Sequence, residues 1–267
     1  MKVTIKDDFD LQKIADSGQC FRFNKEGDGY SVFSLDKHVF VKQVGECEYE
    51  FDCTQKEFDD FWYSYFDIDT DYRQIRGRID PKKDPYLFKA SIYGEGIRIL
   101  RQDPFEMLIS FIISQRKNIP AIKASIEKLC RLAGKEIGKD KFSFPRAEDI
   151  AALSLEELSG CSLGYRDKYV LRAAEAVAHK DIDLFEWEKC DDKGLMDNLL
   201  GLYGVGVKVA NCEILFGYHR LDAFPRDVWI NRVLENRYQK GFDFERYAPY
   251  NGVMQQYLFF YSRNENL

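Results

Sequence analysis

LLGLYGVGVKVANCEILFGYHRLDAFPRDVWINRV, residues 199–233, is the stretch that decides the fold. A helical pattern ends at Leu202-Tyr203, Gly204-Val205-Gly206 turns the chain, and a second helix begins at about Val207. Two glycines flanking one apolar residue let the backbone turn tightly and approach a neighbour closely. The fresh helix N-terminus beyond them presents N–H groups without internal partners, which suit a phosphate. A bare Gly-x-Gly turn between helices is often only a turn. Gly204, Val205 and Gly206 become a candidate anchor for a phosphate backbone because Lys208 and Asp227 lie downstream of them.

Lys208 falls in the first turn of the second helix. A cation there is unfavourable, because the helix N-terminus is the positive pole. The same pole, helped by burial, favours the neutral amine, and a neutral amine is a nucleophile. The plain alternative is an exposed lysine gripping phosphate. Asp227 lies 19 residues on, in Pro225-Arg226-Asp227-Val228, where the proline makes it a helix N-cap. A capping aspartate stays ionised and fixed in direction, and such a carboxylate can stabilise a sugar cation. A lysine and an aspartate on consecutive helix starts make a stronger case than either residue alone.

Outward from this stretch, nearly everything from about residue 86 reads helical. Pro104 opens PFEMLISFIISQ with Asp103 as its cap, and Ser154 with Glu157 has the shape of a capping box. Residues 18–53 read instead as strands: CFRFN, GYSVFSL, HVFVKQV and EYEFDC are short, aromatic and β-branched. Phe58, Phe61, Trp62, Tyr65 and Phe66 return to helical spacing. The fold expected is α+β: a small N-terminal antiparallel β domain over 1–85, then an all-helical body over 86–267.

Composition sets bounds. Hydrophobic residues are 45% and aromatics 15% of 267 residues, enough for real cores. No apolar run reaches the roughly 18 residues of a membrane helix, and MKVTIKDDFD has no apolar signal region, so no membrane association and no secretory peptide are expected. Seven cysteines without a C-x-x-C pair argue against a disulfide framework, a zinc site or an iron–sulfur loop. The net charge of -6 weighs against nucleic acid on its face. Its distribution softens the objection: residues 1–80 hold 11 basic against 18 acidic residues, so the remainder is close to neutral. Eight basic residues within 114–141, Arg116 and Lys117 among them, could hold a phosphate backbone.

Five ordered motifs now resemble the helix-hairpin-helix glycosylases, specifically the 8-oxoguanine DNA glycosylase family. They are SGQCFRF at 17–23, ILRQDPFEMLISFIISQ at 99–115, LGYRDKYV at 163–170, the GVGVKVANC hairpin and PRDVW. The resemblance implies a bifunctional glycosylase and AP lyase that flips 8-oxoguanine out of duplex DNA. Lys208 resembles the nucleophile that attacks the sugar C1′ and forms a Schiff base, and Asp227 resembles the catalytic aspartate. Cys212 and Phe259 match the residues that sandwich the extruded base. Gln255 matches the reader of its guanine edge. Gly18 matches the glycine whose carbonyl accepts the N7–H that guanine lacks. Tyr165 resembles the wedge in the base stack, and Arg166 the reader of the orphaned cytosine. Arg116 and Asn118 stand in the DNA-contacting run after the long helix.

Departures are equally plain. The first Asn of the family's triplet is Arg116 here, its second cytosine-reading Arg is Ala121, and its phosphate-contacting His is Trp229. The resemblance implies no catalytic metal and no cofactor; a structural monovalent cation on hairpin carbonyls fits it. A monomer working on DNA in a bacterial or archaeal cytoplasm, beside the nucleoid, is expected. The rivals are a water-using glycosylase for another lesion and a non-catalytic helix-hairpin-helix DNA-binding module. Lys208→Gln separates the last: an enzyme loses cleavage and keeps binding, while a module has no cleavage to lose.

Overall fold

The computed structural model describes residues 1–265. Its N-terminal part is one antiparallel sheet in the order β1-β5-β4-β3-β2, built from β1 (Lys2–Thr4), β2 (Phe23–Glu26), β3 (Gly29–Ser34), β4 (Lys37–Gln43) and β5 (Glu48–Phe51). Alternation does the sorting. Val39 and Val41 of β4 and Tyr49 and Phe51 of β5 turn inward, onto Leu11 and Ile14 of the helix Leu11–Asp16 and onto Phe58, Trp62, Tyr65 and Phe66. The helical spacing read over that last group holds. Its middle, Phe58–Trp62, widens into a π turn, and its start is a capping box between Thr54 and Glu57.

Two expectations need correction, and two elements were missed. The segment Cys20-Phe21-Arg22 is not strand, because β2 begins at Phe23. The strand Lys2–Thr4 and the helix Leu11–Asp16 went unread; three residues paired as Val3↔Tyr49 are too short to show a period. The body is not wholly helical either. A two-stranded ribbon, Glu136–Gly138 with Lys141–Phe142, interrupts it, turning at Asp140 with φ 57°.

The body packs around the helix Pro104–Ser114, which is buried on almost every face and capped by Asp103 as expected (Glu106 N–H to Oδ1, 2.8 Å). Phe111 of that helix stacks on Phe216, with ring centroids 5.4 Å apart. The two apolar cores exchange residues across the middle of the chain. Leu100 belongs to the core under the sheet, while Phe21, Tyr72 and Ile75 belong to the core of the body. This interleaving carries the loop at Gly18, which is N-terminal in sequence, onto the helical body.

Candidate active site

The turn between the helices Asp192–Leu200 and Val207–Phe216 is built as read, but its glycines serve different ends. Gly204 has φ +86°, and a Cβ there would lie 2.3 Å from the Tyr169 ring. Its close approach is therefore to this chain's own tyrosine. Gln115 Nε2 donates to the Gly204 carbonyl at 3.0 Å and fixes the turn to the end of the long helix. Gly206 opens the second helix in extended conformation (φ -104°), without a side-chain cap and with nothing within 4 Å of a would-be Cβ. The first N–H groups of that helix are left for an outside acceptor. Gly204→Ala is expected to cost about 2 kcal/mol or more, from positive φ and the Tyr169 overlap together. Gly206→Ala is expected to cost well under that. Urea unfolding of the two variants checks it, and equal midpoints would contradict the assignment.

Lys208, second residue of the helix, is half-buried with Nζ 5.3 Å over the Phe111 ring centroid. Asp227 is the N-cap of Val228–Arg237, its Oδ1 accepting the Ile230 N–H at 2.8 Å. Both line two adjoining cavities, an outer one of about 330 Å³ and an inner one of about 60 Å³. Gly18 and Phe259 line both as well. Cys212 and Gln255 line the inner one, so all six residues named for chemistry or base binding meet in one place.

The wall opposite the lysine is closely made. Gly18 has φ +76°, and a Cβ on it would meet Phe259 Cε1 at 3.1 Å. A side chain there would enter the space that the aromatic ring bounds. The Gly18 carbonyl accepts no hydrogen bond from the described residues. Gln19 next to it is fully buried: Nε2 donates to Ser17 Oγ (2.8 Å) and to the Arg98 carbonyl (2.7 Å), and Oε1 accepts the Leu100 N–H (2.8 Å). This clamp holds the Gly18 loop against residues 98–100. Burial pushes the Cys212 thiol up from its ordinary value, partly opposed by the nearby Lys208 amine, so it sits as a neutral, polarizable surface.

The residues read as DNA contacts scatter around the mouth. Arg116 is exposed and held at φ 51°. Asn118 is exposed, but its Oδ1 is taken by the Ala121 N–H (2.9 Å), so it caps the helix Ile119–Ala133. Tyr165 is 50% exposed, with the Arg166 guanidinium 4.4 Å over its ring. Arg166 itself is buried, giving Nε to the Gln115 carbonyl (2.7 Å) and Nη1 to the Leu163 carbonyl (3.0 Å). In this conformation it is committed to backbone rather than displayed to a base. Trp229 lines the outer cavity, with Arg232 5.4 Å over its ring.

Phe111, Gln256 and Arg263 line the cavities and went unread, as did Gln19 beside them; Lys117, read only as part of a basic run, lines the outer one. Lys117 donates to Ser125 Oγ (2.7 Å) and the Ser162 carbonyl (2.6 Å), and burial, then Arg166 and Lys128, lower its pKa. Its place in the run 114–141 was the available signal. Among the described residues, no three His, Cys, Asp or Glu side chains are grouped to hold a metal ion. A structural monovalent cation at the hairpin would need backbone carbonyls with a lone pair to spare. The Leu202 carbonyl accepts only the Val205 N–H and keeps a second lone pair.

Comparison with known proteins bears on this site. Residues 2–108 match the 8-oxoguanine DNA glycosylase, N-terminal domain, and residues 109–241 match the HhH-GPD superfamily of base excision DNA repair proteins. The N-glycosylase/DNA lyase of Saccharomyces cerevisiae is 29% identical over 263 residues, 88% of this chain and 69% of its own length. The solved structure of MBOgg1 with a low-affinity DNA ligand is 38% identical, with TM-score 0.93, and the match covers 100% of this chain and 96% of that one. The Clostridium acetobutylicum 8-oxoguanine glycosylase/lyase, solved with double-stranded DNA carrying cytosine opposite 8-oxoguanine, is 32% identical with TM-score 0.90, covering 100% and 99%. The chain belongs to the 8-oxoguanine DNA glycosylase family of helix-hairpin-helix base-excision repair proteins.

Proposed function

We infer that this chain excises 8-oxoguanine from duplex DNA and cleaves the strand at the resulting site, and that Lys208 and Asp227 carry the chemistry. The observation behind this reading is that one cavity holds the amine, the capped carboxylate and the Gly18–Phe259 wall. An enzyme acting on a base must take it out of the stack. Phe259 and Cys212 would then sandwich it, and the Gly18 carbonyl would accept the N7–H of the lesion. Guanine has a lone pair at N7, so the same carbonyl repels it. Lys208 Nζ attacks C1′, the C1′–N9 bond breaks and the base leaves with the electron pair. Asp227 stabilises the positive charge that develops on the sugar. Loss of a proton from nitrogen and opening of the sugar ring give the Schiff base, from which β-elimination breaks the 3′ C–O bond. A cation at the hairpin would steady the phosphate anchor, and no step passes through it.

The whole site comes from one chain, in keeping with a monomer. A DNA substrate suits a cytoplasmic place beside a nucleoid, and among the described residues no helix is long and apolar enough to cross a membrane. Borohydride trapping on a duplex with one 8-oxoguanine opposite cytosine is the test. A covalent adduct, absent on undamaged duplex, is expected. Base loss without an adduct would mean water attack instead.

Ala121 has no group to read a base, and Arg166 is engaged by Gln115 and Leu163. Opposite-base discrimination is therefore expected to be weak. Single-turnover excision opposite C, A, G and T measures it. A preference for C above about a hundredfold, some 2.7 kcal/mol, would contradict it.

A further inference from the structure

The exposed Tyr165 and the hairpin turn at Gly204 are far apart in sequence, yet two routes of contact join them. The first runs through Gln115. Its Nε2 donates to the Gly204 carbonyl (3.0 Å) and to the Ile112 carbonyl (3.2 Å). Both partners only accept, so that end of the amide is the NH₂ group. The backbone of the same residue faces the other way. Gln115 ends the long helix with ψ 122°, which swings its carbonyl out of the helical direction. Arg116 beyond it is held at φ 51°, a conformation that residues other than glycine rarely adopt. The freed carbonyl accepts Nε (2.7 Å) and Nη2 of Arg166, whose guanidinium lies 4.4 Å over the Tyr165 ring. The second route is Tyr169. Its ring meets Tyr165 edge-on with centroids 5.8 Å apart, and it is the ring that a Cβ on Gly204 would strike. The contacts thus close on themselves: Gly204, Gln115, Arg166, Tyr165, Tyr169 and Gly204 again. An open chain of contacts can swing at any joint, whereas a closed one moves only by breaking a contact.

We propose that Gln115 is a positioning residue for base extrusion, which sets the Tyr165 wedge at a fixed reach from the phosphate anchor at the hairpin. This rests on the reading that the chain extrudes 8-oxoguanine from duplex DNA. Extrusion costs unpairing and unstacking. The strand stays open only while its backbone is gripped on one side and the gap is filled on the other. Slack between wedge and anchor lets the base fall back into the stack. Gln115 is the one residue of the closed contact that meets both sides with polar groups, its side chain toward the anchor and its carbonyl toward the wedge. Arg166 is then a strut beneath the wedge, which explains a guanidinium buried beside a half-exposed tyrosine.

The test is single-turnover excision of 8-oxoguanine from two duplexes, one with cytosine opposite the lesion and one with an abasic position there. Gln115→Met keeps the length of the side chain and removes its donors. Excision opposite cytosine is expected to slow about tenfold or more. On the duplex without a partner base the rate should stay within about threefold of wild type, because an unpaired lesion costs less to extrude. Borohydride trapping at a preformed abasic site, where no base has to leave the stack, should also stay within about threefold. A residue that only supports the fold slows all three reactions alike. Gln115→Glu replaces the Met variant if that one does not trap, under the same criterion, since a carboxylate cannot donate to the Gly204 carbonyl. Slowing of less than about threefold opposite cytosine, equal slowing on both duplexes, or trapping lost in both variants overturns the proposal. Wild type that excises from neither duplex overturns the functional reading beneath it.

Discussion

Lys208→Gln is expected to abolish the borohydride adduct and to slow base excision by about 10⁴-fold or more, roughly 5.5 kcal/mol of barrier. An amide cannot form an imine. The informative part is what the same change does to stability. Lys208 makes no ion pair among the described residues; its amine lies over the Phe111 ring and beside the Cys212 thiol. It also sits in the first turn of a helix, where a cation opposes the dipole. Replacing it should leave the melting temperature unchanged or slightly higher. Activity lost while stability is kept marks a residue held for chemistry. Affinity for the 8-oxoguanine duplex should stay within about threefold. A Lys208→Gln protein that still excises the base would reduce the lysine to a phosphate contact and hand the attack to water.

Asp227 caps a helix and, in the proposed reaction, stabilises the sugar cation; Asp227→Asn separates the two. Asparagine caps a helix about as well as aspartate does, so the bond to the Ile230 N–H survives and stability should change by less than about 0.5 kcal/mol. The negative charge that the proposed reaction sets against the sugar cation is lost. Excision is expected to fall by about 10²- to 10³-fold, some 3 to 4 kcal/mol. Asp227→Ala removes the cap as well and should cost about 1 kcal/mol of stability in addition. Urea unfolding and single-turnover excision on both variants resolve the two roles. Full activity in Asp227→Asn would leave the residue a cap and nothing more.

What could be read from the sequence was local. Helix starts are written in a few adjacent residues, so Lys208 after Gly206 and Asp227 after Pro225 were both placed correctly. The antiparallel sheet and helical body followed from period and β-branching. Contacts that join distant segments left no local trace. Gly18 and Phe259 in one pocket came only through family resemblance, and the bond from Gln255 to the Pro225 carbonyl went unread. Gln19 looked like any polar residue between Gly18 and Cys20, although its burial makes the clamp. Arg166, assigned by resemblance to reading a base, gives its donors in this conformation to Gln115 and Leu163. The strand Lys2–Thr4 was too short to announce itself.

The pocket wall has a consequence for how this molecule fails. Lys208 belongs to the hairpin, but the ring that walls the cavity belongs to the last helix, Asn251–Asn264. That helix also holds the N-terminal loop from the other side, with Arg263 donating to the Asp16 carbonyl at 3.2 Å. Its Met254, Tyr257 and Leu258 are wholly buried in the core. A chain cut short before this helix loses a wall of its cavity and a slab of its core together. Truncation or nicking at that end therefore yields an unfolded, inert protein rather than a folded one that attacks sound guanine. Building a wall of the pocket into the keel makes loss of the pocket and collapse the same event, which for a DNA-cutting catalyst is the safer way to break.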